Sequence, residues 1–190
     1  MKAVAAALFV AACFGMAGAS RAQDNLPGQS LIASPAVDQW NLGGNADHRM
    51  MRDAGVPGGW DLDIKLAAAG ANPWDVQAGV ATSQPIHKGD VVLLAFWART
   101  VTPPPGQTAG TLVANIQQGH APYTRVGEAS LAIAPDWRLY YVSGTSPLDL
   151  APGEAAATVQ LALAAQDIAL GPVFVRDFGP GFDPAKLPVN

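Results

Sequence analysis

Cysteine is almost missing from this chain. Of its 190 residues one is cysteine, Cys13, and it sits inside an apolar N-terminal stretch. The rest of the chain therefore has no disulfide available and must be held by packing. Charge is sparse as well, at 14% of residues, and eleven basic residues against fifteen acidic ones give a net charge of −4. No Lys/Arg cluster supplies the phosphate-neutralising surface that nucleic-acid affinity needs, which excludes nucleic acid as a partner. A helical period of useful length is lacking too. So are a Gly-x-Ser-x-Gly elbow, a phosphate-binding glycine loop, a His-Glu-x-x-His helix and an EF-hand loop. His48, His87 and His120 lie far apart in turn-like contexts and read as surface residues rather than metal ligands. What the chain has in quantity is turn-formers, 20 Gly and 16 Pro, and an apolar fraction of 49%, enough to fill the core of one domain.

Lys2, the apolar run Ala3 to Ala12, and the small residues Ala17 to Ser20 before polar Gln23-Asp24-Asn25 read as a secretory signal peptide. Residues 1–22 form this leader, with cleavage after Ala22 or, as the alternative, Ala19. Val10-Ala11-Ala12-Cys13 resembles a lipobox, which would make Cys13 a lipidation site. The run is too short to cross a bilayer, so the chain is expected to be secreted or periplasmic and not transmembrane. Residues 23–35 read as a polar lead-in, 36–178 as the folded module and 179–190 as a Pro-rich tail.

From Trp40 onward, short runs with period-two alternation are separated by Gly, Pro and Asn/Asp breakers, which is how an antiparallel sheet protein reads. Asp61-Leu62-Asp63-Ile64-Lys65-Leu66 places three apolar side chains on one face and Asp61, Asp63 and Lys65 on the other. Further strands are expected over 74–81, 91–100, 110–118, 128–133, 137–143, 156–164 and 168–178, with one or two irregular edge strands in 40–53. Nine or ten strands suit an all-β, two-sheet antiparallel jelly-roll sandwich. An immunoglobulin-like sandwich is the competing architecture.

Strand parity also says where polar side chains point. With Val92, Leu94, Phe96 and Ala98 as a core row, Trp97 and Arg99 turn to the opposite face, although the reverse parity would bury Trp97 beside Leu93 and Ala95. The same reasoning turns out Asn115 and Gln117 in one strand and Asp75 and Gln77 in another. As three neighbouring strands these present Gln77, Trp97, Arg99, Asn115 and Gln117 on one surface, with Tyr123 in the following turn closing one end. Such a surface suits a sugar, whose C–H face stacks on an aromatic ring and whose hydroxyls pair with neutral amides. Two rivals stand beside this reading. One is a small glycan hydrolase using Asp61 or Asp63; the other is an envelope sandwich with no ligand.

Several runs match a known pattern. Lys88 to Arg99, ending Phe96-Trp97-Ala98-Arg99, resembles the aromatic-rich strand of family 4/9 carbohydrate-binding modules. Asn72 to Gln77 is similar to their Trp-x-x-Gln strand, Asp136 to Tyr140 to their Trp-x-x-Tyr strand, and Gly171 to Phe178 to their closing strand. The resemblance implies a galactose-binding-like β-sandwich that binds xylan, β-glucan or a related polysaccharide without catalysis. It implies Gln77, Trp97, Arg99, Asn115 and Gln117 as groove residues, and Trp137 and Tyr140 as structural ones. It implies no cofactor beyond a structural calcium, for which Asp177 matches the last-strand aspartate but lacks a clear acidic partner near Trp40. Because such modules usually accompany a glycoside hydrolase, a separate enzyme of that class is the expected companion.

Overall fold

The computed structural model describes residues 30–190. The leader, both cleavage positions, the lipobox cysteine and most of the lead-in lie outside the described residues. Eleven strands follow one another: β1 (Ser30–Leu31), β2 (Asn41–Gly44), β3 (Asp47–Arg52), β4 (Trp60–Leu66), β5 (Val76–Ala81), β6 (Asp90–Thr102), β7 (Gly110–Gln118), β8 (Arg125–Ile133), β9 (Arg138–Thr145), β10 (Ala155–Gln160) and β11 (Gln166–Pro180). The only helices among the described residues are three single turns of 3-10 type, as expected where no apolar repeat of helical period exists.

The strands form two antiparallel sheets. Sheet A runs β3-β4-β11-β6-β9, with β1 added beside β11; sheet B runs β2-β5-β10-β7-β8. This is the all-β jelly-roll sandwich the alternation implies. Leu62, Ile64 and Leu66 enter the core from β4, Val92, Leu94, Phe96 and Ala98 from β6, and Leu112, Ala114 and Ile116 from β7. Trp40 is buried edge-on against Phe96 at 6.4 Å, and its indole Nε1 donates to the Gly171 carbonyl at 2.8 Å. The Tyr140 ring lies 6.0 Å from Phe96, and its hydroxyl accepts from Ala134 N. A buried indole or phenol needs such a partner.

Several boundaries differ from the sequence reading. Trp74 and Trp137 fall in the turns before β5 and β9, because Pro73 and Pro135 keep the ladder from starting earlier. β10 stops at Gln160. Residues 30–33 belong to the sandwich rather than to a lead-in: Ser30 and Leu31 pair with Asp177 and Arg176, and Ile32 and Ala33 are buried. Two paired residues are too few for alternation to be visible. The tail is also docked. Leu187 is buried with Val91 and Leu93 on the outer side of sheet A, and the Asn190 amide both donates to Tyr141 O at 2.8 Å and lets Tyr141 N donate to its Oδ1 at 2.9 Å. Those two bonds cap the free edge of β9. Leu187→Ala is expected to cost about 1 kcal/mol, less than the roughly 2–5 kcal/mol of a Leu→Ala change in a closed core because an outer strap can settle after truncation, and to lower the melting temperature by about 2–4 °C. An unchanged calorimetric melt would show that the tail contributes nothing.

Candidate functional site: the open face of sheet B

The two sheets differ in what covers their outer faces. Sheet A is covered at one end by the tail. At the other, the loop 53–59 is folded down onto it. Asp53 anchors that loop: its Oδ2 accepts from Trp137 Nε1 at 3.0 Å and pairs with Arg99 at 3.1 Å, while its Oδ1 accepts from Gly55 N at 2.7 Å. The Trp137 hydrogen bond, the Gly55 amide and the Arg99 charge hold the Asp53 carboxyl below its ordinary pKa. Arg99 also lies over the Trp137 ring at 5.3 Å. Trp97 is half-buried in this assembly; a Cβ on Gly171 would touch its own Cβ, the Val56 side chain and Trp137.

Trp97 and Arg99 therefore face outward as parity predicts, but from sheet A. Their strand, β6, pairs with β11 and β9, not with β5 or β7. The expected single surface is divided: Gln77, Asn115 and Gln117 lie on the opposite outer wall of the sandwich. Alternation reports a side chain's face relative to its own strand and carries no information on which sheet that strand joins.

On sheet B the outer wall is built from three cross-strand rows. Gly43, Gln77, Gln160, Val113 and Ser130 form one; Asn41, Gly79, Thr158, Asn115 and Glu128 the next; Ala81, Ala156, Gln117 and Arg125 the third. Where glycine and alanine occupy these rows the surface sinks. The result is a hollow of about 510 Å³ over β2, β5 and β10, with Gly43, Gly79, Ala81 and Ala156 as floor and Gln39, Asn41, Gln77 and Thr158 as polar lining. Apart from Arg125 and Glu128, which pair with each other, the three rows contain no charge. Trp74, 52% exposed, and Tyr123, 55% exposed, stand in the turns at opposite ends of these strands. Tyr123 is thus at one end of the wall, as the sequence suggests. Trp74 went unrecognised there because a strand reading hid its turn. Gln39, Asn41, Thr158 and Gln160 were also missed. Their signal is the period-two polar row, legible only once β2 and β10 are known to flank β5.

Two further hollows lie on sheet A. The larger, about 750 Å³, is walled by Met50, Pro57, Trp60, Pro172 and Phe174, with Ser34 and Asp38 its polar side chains; it offers a sugar few hydrogen-bond partners. The smaller, about 260 Å³, is ionic, lined by Asp47, His48, Arg49, Asp63, Lys65 and Asp167. Asp61 and Asp63 share the outer face of β4, but they are not a solvated acid/base pair. Asp61 is 2% exposed, and burial followed by the nearby Asp53 charge raises its pKa; Asp63 is paired with Arg49 at 3.5 Å.

Asp177 accepts from Gly179 N at 2.7 Å and is raised in pKa by burial and by the neighbouring Asp90 carboxylate. Asp90 in turn accepts from His87 N at 2.6 Å. These are two side-chain carboxylates where calcium takes six to eight oxygens, and among the described residues no group of three His, Cys, Asp or Glu side chains converges on a metal position. The donor set does not fit a calcium site built from side chains, and no step is derived through one. Among the described residues no helix is long and apolar enough to cross a membrane.

No family model matches the sequence, and no curated protein does. Solved structures do match. A CBM4 module superposes with a TM-score of 0.54 at 22% identity, over 75% of this chain and 88% of that one. The C-terminal family 22 carbohydrate-binding module of Clostridium thermocellum Xyn10B gives 0.54 at 14% identity, over 82% and 97%. The CBM22-1–GH10 portion of the same xylanase, complexed with xylohexaose, gives 0.55 at 9% identity, over 85% of this chain but 30% of that one. Identities this low speak for architecture alone, and architecture does not choose a function. The chain has the β-sandwich fold of carbohydrate-binding modules.

Proposed function

We propose that this protein is an exported, non-catalytic carbohydrate-binding module that holds a neutral polysaccharide such as xylan or β-glucan against the outer wall of sheet B. The observation that carries this reading is the hollow lined by Gln39, Asn41, Gln77 and Thr158, which contains no charged side chain, whereas the two hollows on sheet A are one mainly apolar and one ionic. Carboxamides donate and accept at once, which is what a hydroxyl requires, and they favour no charge. The floor carries no aromatic ring, so stacking falls to Trp74 and Tyr123 at the two ends, each contributing on the order of 0.5–1.5 kcal/mol beyond burial. Gln77, Asn115, Gln117 and Tyr123 remain ligand residues in this proposal; Arg99 belongs with Asp53 and Trp137 to the clamp of the 53–59 loop, and Trp97 stands beside that clamp. The leader supports export, and a glycoside hydrolase acting on the same polymer is the natural companion.

Affinity electrophoresis in xylan, β-glucan and galactan gels tests the reading. The protein is expected to be retarded in at least one gel. Gln77→Ala is expected to weaken binding about fivefold to tenfold, the loss of one or two hydrogen bonds, while Trp97→Phe leaves retardation unchanged. Migration unaffected by every polymer would refute the proposal. Loss of retardation in Trp97→Phe alone would move the site to sheet A.

A further inference from the structure

One polar group on the outer wall of sheet B is left unfinished by the fold. Asn115 is fully buried, at 0% exposure, although its side chain belongs to the outward row of β7. Its Oδ1 accepts from the Thr158 hydroxyl at 2.7 Å. Its Nδ2 has no hydrogen-bond partner and no contact with solvent. The first bond sets the chemistry of both residues. Thr158 spends its only proton on Asn115, so its oxygen can only accept from anything else. Asn115 has its oxygen engaged by that proton, and its Nδ2 is left as a donor without a partner. An unpaired buried amide destabilises the fold that carries it, and a native fold that keeps one needs a reason for it.

Thr158 lines the hollow, and its neighbour across β5 is Gly79, where a Cβ would come within 3.2 Å of the threonine methyl. The absence of a side chain there keeps the floor open beside the hydroxyl. Around Asn115 the same face presents Val113 and Gln117 from its own strand and Glu128 across β8. Gln117 is a long side chain that makes no hydrogen bond of its own and can rotate aside, while Glu128 is held by Arg125.

On the carbohydrate reading above, we infer that Thr158 and Asn115 form a donor–acceptor couple that reads one free hydroxyl of the bound polysaccharide. The sugar oxygen accepts from Asn115 Nδ2, and its proton is donated to Thr158 Oγ1. Only a group that both accepts and donates completes the pair. A ring or glycosidic ether oxygen, a deoxy carbon or an O-methyl group leaves one or both partners unmet. The couple is therefore a specificity device: it selects for an unsubstituted hydroxyl at one ring position and discriminates against chains decorated there.

The test uses whichever of xylan, β-glucan or galactan retards the wild-type protein. Thr158→Val keeps the branched shape and removes the hydroxyl; a loss of about tenfold or more in affinity is expected, with Thr158→Ser within about threefold of wild type. An arm independent of folding presents the unmodified protein with the same polymer after partial O-methylation and expects a comparable loss. If the wild type binds, Thr158→Val binds as tightly as Thr158→Ser and the wild type, and the methylated polymer is held as well as the original, the couple reads nothing. The inference is then overturned, with the carbohydrate reading intact. If the wild type binds none of the polymers, reading and inference fall together.

Discussion

Gly144→Ala lowers the melting temperature by about 6–12 °C, the equivalent of roughly 3 kcal/mol in a chain of this size. The reason lies where the sandwich closes on itself. β9 is the edge of sheet A and β8 the edge of sheet B, and the two backbones approach each other without pairing. A Cβ on Gly144 would collide with the Val126 carbonyl oxygen and lie 2.9 Å from the Gly127 Cα; one on Gly127 would lie 2.6 Å from the Ser143 carbonyl oxygen. The obstructing atoms are main chain on both sides, so no rotamer change relieves the overlap. β9 would have to withdraw from β8 while it remains bonded to β6 at Val92. Gly43→Ala is the matched control. It too lies in an edge strand, β2 of sheet B, but its added methyl would find nothing nearer than the Gln77 carbonyl oxygen at 3.9 Å. Its melt should stay within about 1–2 °C of wild type, the range of an ordinary surface change. Equal melts for Gly144→Ala and Gly43→Ala would mean that the sheets are free to separate at this seam.

The seam also shows where sequence reasoning stops. Alternation located the strands of the core well. The Leu62-Ile64-Leu66 stripe, the outward turn of Trp97 and the outward turn of Gln77 and Asn115 all follow from period-two parity, because a side chain's face is a local property of the pleat. Which strands become neighbours is not local. β6 reaches across the chain to β11 and β9, and β5 to β2 and β10, so the indole and the carboxamides, close in the parity argument, end on opposite walls. Burial of polar groups is equally non-local. Asp61 has the parity of a solvated aspartate and is hidden by a loop that Asp53, Trp137 and Arg99 hold down. No spacing in the sequence connects those three residues.

Raising the pH from about 4.5 to 8 is expected to lower the melting temperature by about 3–7 °C through the Asp63–Asp167 pair, and Asp167→Asn should abolish that part of the slope. The two carboxylates come from adjacent strands: Asp63 pairs with Ala169 and Lys65 with Asp167 in the β4–β11 register. Each has an Oδ1 closed off from solvent without a donor. A single proton held between them supplies the missing donor. Burial first, then the hydrogen bond and charge of Asp63, push Asp167 up to about 7, against the opposing pull of Lys65 and Arg49. Between about pH 4, where an unfolded aspartate ionises, and pH 7, the folded chain keeps a proton that the unfolded chain has released. Stability therefore falls as pH rises through that window and levels off above it. The full displacement corresponds to about 4 kcal/mol; solvent screening around a half-buried pair flanked by two cations reduces it to about 2 kcal/mol, or less across the measured range. Asparagine at 167 stays neutral and can donate to Asp63 at every pH, so the variant should melt higher than wild type at pH 8 and close to it at pH 4.5. Asp61 and Asp177, also raised by burial, are present in both proteins and cancel in the difference. Parallel melting curves across this range would show that Asp167 ionises as an ordinary aspartate, and that Arg49 and Lys65 already neutralise the pair.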